Sequence, residues 1–225
     1  MRDLVFLFDA DNTLFDNDRM ERDLFSRLSG EFGAAAAARY RALYEGLRAK
    51  LGYADFLGAL ELFRLENLRD PRVPGLANWL LGYPFKKRLF PGALDVVRRA
   101  RRWGTAVLLS DGDAVFQPHK VERSGLWRAF GGRVLIYIHK EKMLRDVERL
   151  YPARRYVLID DKPRILRAVK KIWKRRVTAV FARQGHYADA AGTADVEADI
   201  SVPRIAGLLK FRKADFAGTF HGARP

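Results

Sequence analysis

Cysteine is absent from the 225-residue chain. That excludes thiol nucleophiles, disulfide bonds and Cys-ligated zinc. Long hydrophobic runs are missing too, and no window approaches the ~20 apolar residues of a membrane span. The apolar run Leu4–Phe8 is closed by Asp9, too early for a secretory signal, which needs a longer stretch and a small-residue cleavage site. The expectation is a soluble, cytoplasmic protein with no membrane partner. Acidic residues are in short supply, 27 Asp+Glu against 42 Lys+Arg, for a net charge of +15. Such a balance attracts polyanions, so nucleic acid has to be weighed as a partner.

Hydrophobic residues make up 48% of the chain and charged residues 31%, which supports a packed core and excludes a disordered tail. The basic residues look clustered at Arg98, Arg99, Arg101 and Arg102. Ala93, Val96, Val97, Ala100 and Trp103 interleave with them at helical spacing, which puts the arginines on a solvated helix face. Lys170, Lys171, Lys174 and Arg175 stand in the same relation to Ile165, Leu166, Val169, Ile172 and Trp173. Solvated faces are therefore favoured over a nucleic-acid groove.

The fully apolar run Leu4–Phe8 predicts a strand buried on both faces. From Asp18 to Leu81 the pattern turns helical, with breaks expected at Gly33, Gly52 and the Pro71–Gly75 stretch. Asp18 and Glu21 have the spacing of a capping box for the first helix. The Ala34–Ala38 run needs no explanation beyond helix propensity. After Pro91-Gly92, helices alternate with strands near Thr105–Leu109, Val134–Ile138, Tyr156–Ile159, Val177–Phe181 and Asp199–Val202. Alternation of this kind predicts an α/β fold with a doubly wound parallel sheet. The expected organisation is a core at 1–17 and 87–210, an inserted all-helical cap at 18–86, and a basic C-terminal tail at 211–225.

Strands in this reading end in Asp9/Asp11, Ser110, Lys140 and Asp160/Asp161. In a doubly wound sheet, strand C-termini open onto one edge, where ligands bind. A carboxylate there can attack phosphorus and form an aspartyl-phosphate. Asp11, two residues on and pointing the same way, can protonate the leaving oxygen and then deprotonate water. Several carboxylates would repel a phosphate dianion unless a hard cation joined them, and Mg²⁺ suits such oxygen ligands. Lys140 would neutralise charge, and Ser110 would donate to a phosphoryl oxygen.

Phe8-Asp9-Ala10-Asp11-Asn12-Thr13-Leu14 resembles the first motif of the haloacid dehalogenase superfamily, Asp-x-Asp-x-Thr. Leu109-Ser110-Asp111-Gly112 resembles its second, Lys140 its third, and Val157-Leu158-Ile159-Asp160-Asp161 its fourth. The motifs stand in the family's order and span the chain to about Lys210. The resemblance implies a Rossmann-like core with a helical cap closing over small substrates. It implies Asp9 as nucleophile and, with the main-chain carbonyl of Asp11, as Mg²⁺ ligand. Asp161 and Asp160 would complete the metal site, and Thr13 and Ser110 would position the nucleophile and phosphoryl group. Dehalogenases of this superfamily lack an acid at the Asp11 position and use no metal, so the resemblance favours a phosphatase.

Other assignments compete. Lys142 rivals Lys140 for the third motif, but Lys140 stands nearer the strand end. Asp111 is a candidate substrate-binding residue, although it and Asp113 can equally just close the strand. Lys86, Lys87 and Arg88, on an expected strand returning from the cap, can recognise a second anion or be solvated linker charges. His186, in Gln184-Gly185-His186-Tyr187, can line the cleft rim, and His119 reads as a surface helix residue. Phe56, Phe63 and Trp79 read as cap core. The expected partner is a small phosphorylated metabolite. The alternative is a basic nucleic-acid-binding protein, or a nucleic-acid-end phosphatase, on the same fold.

Overall fold

The protein is described by a computed structural model covering residues 2–188 and 198–217. Six strands form one parallel sheet: β1 (Arg2–Phe8), β2 (Thr105–Asp111), β3 (Val134–Tyr137), β4 (Ala153–Asp160), β5 (Val177–Ala182) and β6 (Ile200–Val202), in the order β3-β2-β1-β4-β5-β6. Order reverses beside β1, which lies between β2 and β4. The crevice outside the C-terminal ends of these strands is where such sheets hold their ligands.

Both faces of β1 are buried, which is why its sequence does not alternate. Leu4, Phe6 and Phe8 pack with Ala93, Val96, Val97 and Ala100 of α5 (Ala93–Trp103). Val5 and Leu7 pack with Ile165, Leu166, Val169 and Trp173 of α9 (Pro163–Trp173). The first face also takes Val121 of α6 (Phe116–Arg123) and Leu126 and Phe130 of α7 (Leu126–Phe130). The second takes Leu144 and Val147 of α8 (Leu144–Leu150).

Between β1 and α5 lies a helical insert of α1 (Asn17–Phe32), α2 (Ala34–Leu51), α3 (Phe56–Glu66) and α4 (Val73–Leu81). It has its own core, including Leu24, Tyr40, Tyr44, Phe56, Phe63 and Leu76, with Trp79 partly buried against it. The insert leaves and rejoins the sheet through two adjacent linkers. Phe15 bridges Leu89, Phe90 N–H donates to Leu14 O at 2.9 Å, and Asp16 N–H donates to Arg88 O at 2.8 Å. Phe116 of α6 packs among the insert's aromatics, with its ring 5.7 Å from that of Phe56. Among the described residues, no helix is long and apolar enough to cross a membrane.

Several local expectations are corrected. The first helix is capped by Asp16, whose Oδ1 accepts from Arg19 N–H at 2.9 Å, and not by an Asp18/Glu21 box. The cap thus falls two residues earlier, where the linker bond from Asp16 N–H to Arg88 O also holds the chain. The expected break at Pro71–Gly75 ends at Arg72, because Pro74 falls in the first turn of α4, where its missing N–H costs nothing. Lys86, Lys87 and Arg88 lie on a 3₁₀ turn (Phe85–Arg88), not a strand. Arg88 is tied to Asp23 at 2.8 Å and Tyr83 OH at 2.6 Å, while Lys86 and Lys87 are exposed. The expected basic tail starts as structure: Phe216 of α10 (Lys213–Ala217) is buried edge-on against Phe6, with ring centroids 5.5 Å apart. Residues 218–225 of that tail lie outside the described residues.

The basic helix face of α5 is anchored. Arg98 pairs with Asp95 at 2.7 Å, Arg99 donates to Phe211 O at 3.0 Å, and Arg101 donates to Ala129 O at 2.7 Å. Lys170 of α9 pairs with Asp199 at 2.9 Å. These contacts fit solvated faces tied to neighbouring segments.

Candidate active site

The sheet brings Asp9, Asp160 and Asp161 together, each buried, with a carboxylate oxygen from each lying within 4.8 Å of the others. Asp9 follows β1, whose register pairs Phe8 with Ile159, so the ends of β1 and β4 stand side by side. Asp9 N–H donates to Ile159 O at 2.9 Å and fixes the start of the loop.

Lys140 closes this cluster from the β3 side. The chain leaves β3 through His139 in the left-handed region, at φ +59°. Asp111 Oδ1 then accepts from Lys140 N–H at 2.7 Å. The Lys140 side chain, 1% exposed, donates to Asp9 Oδ1 and pairs with Asp160 Oδ2 at 2.7 Å. Lys142 is exposed, so Lys140 is the lysine the fold brings to the carboxylates. Burial alone would depress its ammonium pKa, but Asp160 and Asp9 more than offset this and hold it above the ordinary lysine value.

The three carboxylates are not equally served. Asp160 Oδ1 accepts from Lys162 N–H at 2.8 Å and its Oδ2 faces Lys140. Asp9 Oδ2, Asp160 Oδ2 and both oxygens of Asp161 have no hydrogen-bond partner, Asp160 Oδ2 meeting Lys140 only as an ion pair. Burial pushes the Asp161 carboxyl well above the usual carboxylate range; Lys162 opposes this, while Asp9 and Asp160 add to it. Burial likewise raises Asp160, against the pull of Lys140. A buried anionic group with no partner is costly, and a hard cation is the usual remedy. The donor set fits Mg²⁺, with Asp9 and Asp161 carrying the unshared oxygens.

The Asp11 carboxylate has partners of its own. Its Oδ1 accepts from Lys120 Nζ at 2.5 Å, and its Oδ2 accepts from Gln117 Nε2 at 3.3 Å. The same Gln117 amide donates to Ser110 Oγ at 2.9 Å. Ser110 and Thr13 are both buried, and Thr13 Oγ1 has no hydrogen-bond partner. Asp113 Oδ1 accepts from the N–H groups of Val115 and Phe116 at 2.8 and 2.5 Å and so starts α6. Asp113 is therefore structural, while Asp111 positions Lys140. Lys120, Gln117 and Lys162 were not singled out from the sequence; of these, Lys162 alone carried a signal, its place directly after the acidic pair.

Residues of the insert and of the loops at the strand ends together line a cavity of about 60 Å³, among them Asp11, Asn17, Glu21, Arg48, Lys162 and His186. His186 sits at its rim, where its N–H donates to Asp18 Oδ2 and its Nδ1 meets Asp18 Oδ1, both at 2.7 Å. Gly185 permits this approach: a Cβ there would lie 2.6 Å from Asn12 Cβ, and its φ is +65°. His119, expected on the surface, instead meets Leu81 O at 2.7 Å and joins α6 to the insert.

No protein-family profile matches the chain, and no curated protein matches it. Solved structures do. A haloacid dehalogenase-like hydrolase from Burkholderia xenovorans LB400 is 52% identical, with 94% of this chain and 100% of that chain covered and a TM-score of 0.89. The chain belongs to the haloacid dehalogenase-like hydrolases. More distant members of similar fold include a HAD-hydrolase from Bacillus subtilis bound to magnesium, at 14% identity and TM-score 0.62 over 93% of this chain and 98% of that one. Another is the L-2-haloacid dehalogenase of Xanthobacter autotrophicus with chloropropionic acid covalently bound, at 19% identity and TM-score 0.60 over 92% and 96%. At such identities the likeness concerns the fold alone. The haloacid dehalogenase-like assignment makes this chain a hydrolase and leaves the bond it cleaves to be argued from the site.

Proposed function

We propose that this hydrolase is a Mg²⁺-dependent phosphatase acting on small phosphomonoesters through an aspartyl-phosphate on Asp9. The observation that carries this reading is Asp161, which is buried with neither carboxylate oxygen partnered, beside Asp9 and Asp160. Hydrolysis of a carbon–halogen bond by a lone carboxylate has no use for that excess of buried negative charge. Phosphoryl transfer with a bound cation does, and a magnesium-bound relative of the same fold is compatible with it.

In this reading Asp9 attacks phosphorus, and the ester oxygen leaves with a proton from the Asp11 carboxyl. Water then attacks the acyl-phosphate, Asp11 takes its proton, phosphate departs, and both carboxylates return to their starting state. Lys140 orients Asp9 by donating to its Oδ1. Ser110, oriented by Gln117, and Thr13 supply hydroxyls to the phosphoryl oxygens. Mg²⁺, held by Asp9, Asp161 and Asp160 with the Asp11 carbonyl, would neutralise the phosphate dianion against the carboxylates. The residues from 18 to 86 serve as the cap over the residues at 1–17 and 87–210.

The test measures phosphate release from nitrophenyl and alkyl phosphates, and chloride release from 2-chloropropionate, with Mg²⁺ or with chelator. Phosphate release that needs Mg²⁺ and disappears in Asp9→Asn is expected. Chloride release without phosphate release would overturn the reading.

A further inference from the structure

Helices that feed a parallel sheet end where its strands begin, here at the edge away from Asp9 and Asp160. Thr105, Val5, Tyr156 and Val177 form one row across β2, β1, β4 and β5. Basic side chains stand just ahead of that row: Arg101 and Arg102 before β2, Arg154 and Arg155 at the start of β4, and Lys174, Arg175 and Arg176 before β5. The helix faces of α5 and α9 are solvated, but their basic C-terminal ends meet at this one edge. All seven residues except Arg155 are exposed. Main-chain oxygens hold two of them: Arg101 donates to Ala129 O at 2.7 Å and Arg155 to Arg175 O at 2.8 Å. A carbonyl orients a guanidinium without cancelling its charge. Asp3 lies 4.0 Å from Arg154, and Glu148 pairs with Arg176 at 2.7 Å. Arg101, Arg102, Lys174 and Arg175 form no ion pair with a described residue.

Helix C-termini attract cations by themselves. That accounts for Arg101 and Arg102, but not for the charges on β4 or in the turn before β5. The turn holds Lys174 at φ +49°, a region that a residue other than glycine occupies at a cost. From β2 to β5 the edge spans about 14 Å, three inter-strand spacings. We infer that this edge is a docking surface for the phosphate backbone of duplex DNA. Cations at its two ends can reach the phosphate rows that flank a minor groove of about 6 Å. The wide minor groove of A-form RNA sets those rows too far apart. Tyr156 and Trp173, the aromatic residues beside the edge, are buried and offer single strands no stacking platform. Leu150 and Ile172, exposed at the ends of α8 and α9, are too little apolar surface for insertion into a membrane. Contacts to phosphate alone make the binding independent of sequence. The hydrolytic site stays open, because Arg155 and Asp160 lie roughly 16 Å apart along β4. The inference does not depend on which bond the enzyme cleaves.

Fluorescence anisotropy with a labelled DNA duplex of about 20 base pairs, over roughly 50–200 mM salt, reads the interaction. A micromolar Kd is expected at the lower salt, with log Kd rising against log salt at a slope of about 4–6. The triple variant Arg102→Gln, Lys174→Gln, Arg175→Gln should lower that slope by about 2–3 and weaken binding at the lower salt by about 10–100-fold. Lys50→Gln, Lys86→Gln, Lys87→Gln removes the same charge from exposed positions elsewhere and should bind as the wild type does. Hydrolytic turnover should be the same in all three proteins. Equal losses in the two triple variants would mean that net charge alone acts, and would overturn the inference. So would an absence of salt-dependent binding, or tighter binding to duplex RNA, to single-stranded DNA or to phosphatidylserine vesicles. If the first triple variant fails to fold, Arg102→Gln alone decides, with an expected fall in slope of about one.

Discussion

Lys120 Nζ lies 2.5 Å from Asp11 Oδ1, on a side chain only 3% exposed, and also reaches Asn17 Oδ1 at 3.2 Å. A lysine from α6 thus holds the proposed acid/base against the first residue of α1. A cation buried so far needs its partner, and the partner gains a fixed position.

Lys120→Met should therefore lower kcat by about 10–100-fold, as loss of an orienting partner does elsewhere, while KM changes little. Lys120→Arg should restore part of the loss. Stability should fall by about 1–3 kcal/mol, less than for a fully enclosed pair because Asp11 retains some water. Steady-state kinetics with urea unfolding checks both. A KM effect with unchanged kcat would place Lys120 in substrate binding instead.

Asp161 predicts a stability trade. Its carboxyl is held above the ordinary range by burial, so the ionised form at neutral pH works against the fold until a cation joins it. Asp161→Asn should make the metal-free protein more stable by about 1–2 kcal/mol. It should also abolish the rise in Tm that Mg²⁺ gives the wild type. Thermal unfolding with Mg²⁺ and with chelator reads both effects. An equal Mg²⁺ shift in wild type and variant would remove Asp161 from the metal site.

How much of this was legible in the sequence depended on where each residue sits. Asp9, Ser110, Lys140 and the Asp160/Asp161 pair end apolar runs, and a polar residue closing a buried strand stands out. The sheet then does the assembling, since parallel strands carry their C-terminal ends to one edge. Lys120 and Gln117 sit inside an amphipathic helix, where a lysine ordinarily reads as solvated. Their partner Asp11 is 109 and 106 residues away, and no local pattern announces a contact at that distance. The first helix cap failed differently: Asp16 and Asp18 offer rival caps, and only the linker bond to Arg88 chooses between them.

The Asp18–His186 contact joins α1 to the loop after β5 and gives an acid-side pH dependence. Burial raises the Asp18 pKa, but hydrogen bonds from His186 and Asn12 outweigh it, so its folded value lies below 3.8. A carboxylate with a depressed folded pKa contributes stability that is fully present above the unfolded value. That contribution is lost as pH falls through the folded one. Asp18→Asn should cost about 1–2 kcal/mol at neutral pH, and the difference from wild type should shrink as pH falls below 3.8. Urea unfolding from neutral pH down through the acid range tests this; a cost independent of pH would assign the effect to packing.

The last prediction concerns Asp11, whose carboxylate is held by Lys120 and Gln117 and lies outside the Asp9–Asp160–Asp161 group. That placement separates proton transfer from metal binding. Asp11→Asn keeps the size of the side chain and the main-chain carbonyl, so Mg²⁺ affinity should survive. Alkyl phosphates need a proton on the leaving oxygen and should turn over roughly 10²–10⁴-fold more slowly. A nitrophenyl phosphate leaves with little proton assistance, so its first step should suffer less. Its second step still needs a base for the attacking water, and phosphate should therefore accumulate covalently on Asp9. Intact-mass measurement after rapid quench, beside steady-state rates for both esters, reads out each step. A deficit shared equally by the two esters, with no phosphorylated protein, would remove Asp11 from the acid/base role. Lost Mg²⁺ affinity would instead mean that its side chain serves the metal after all.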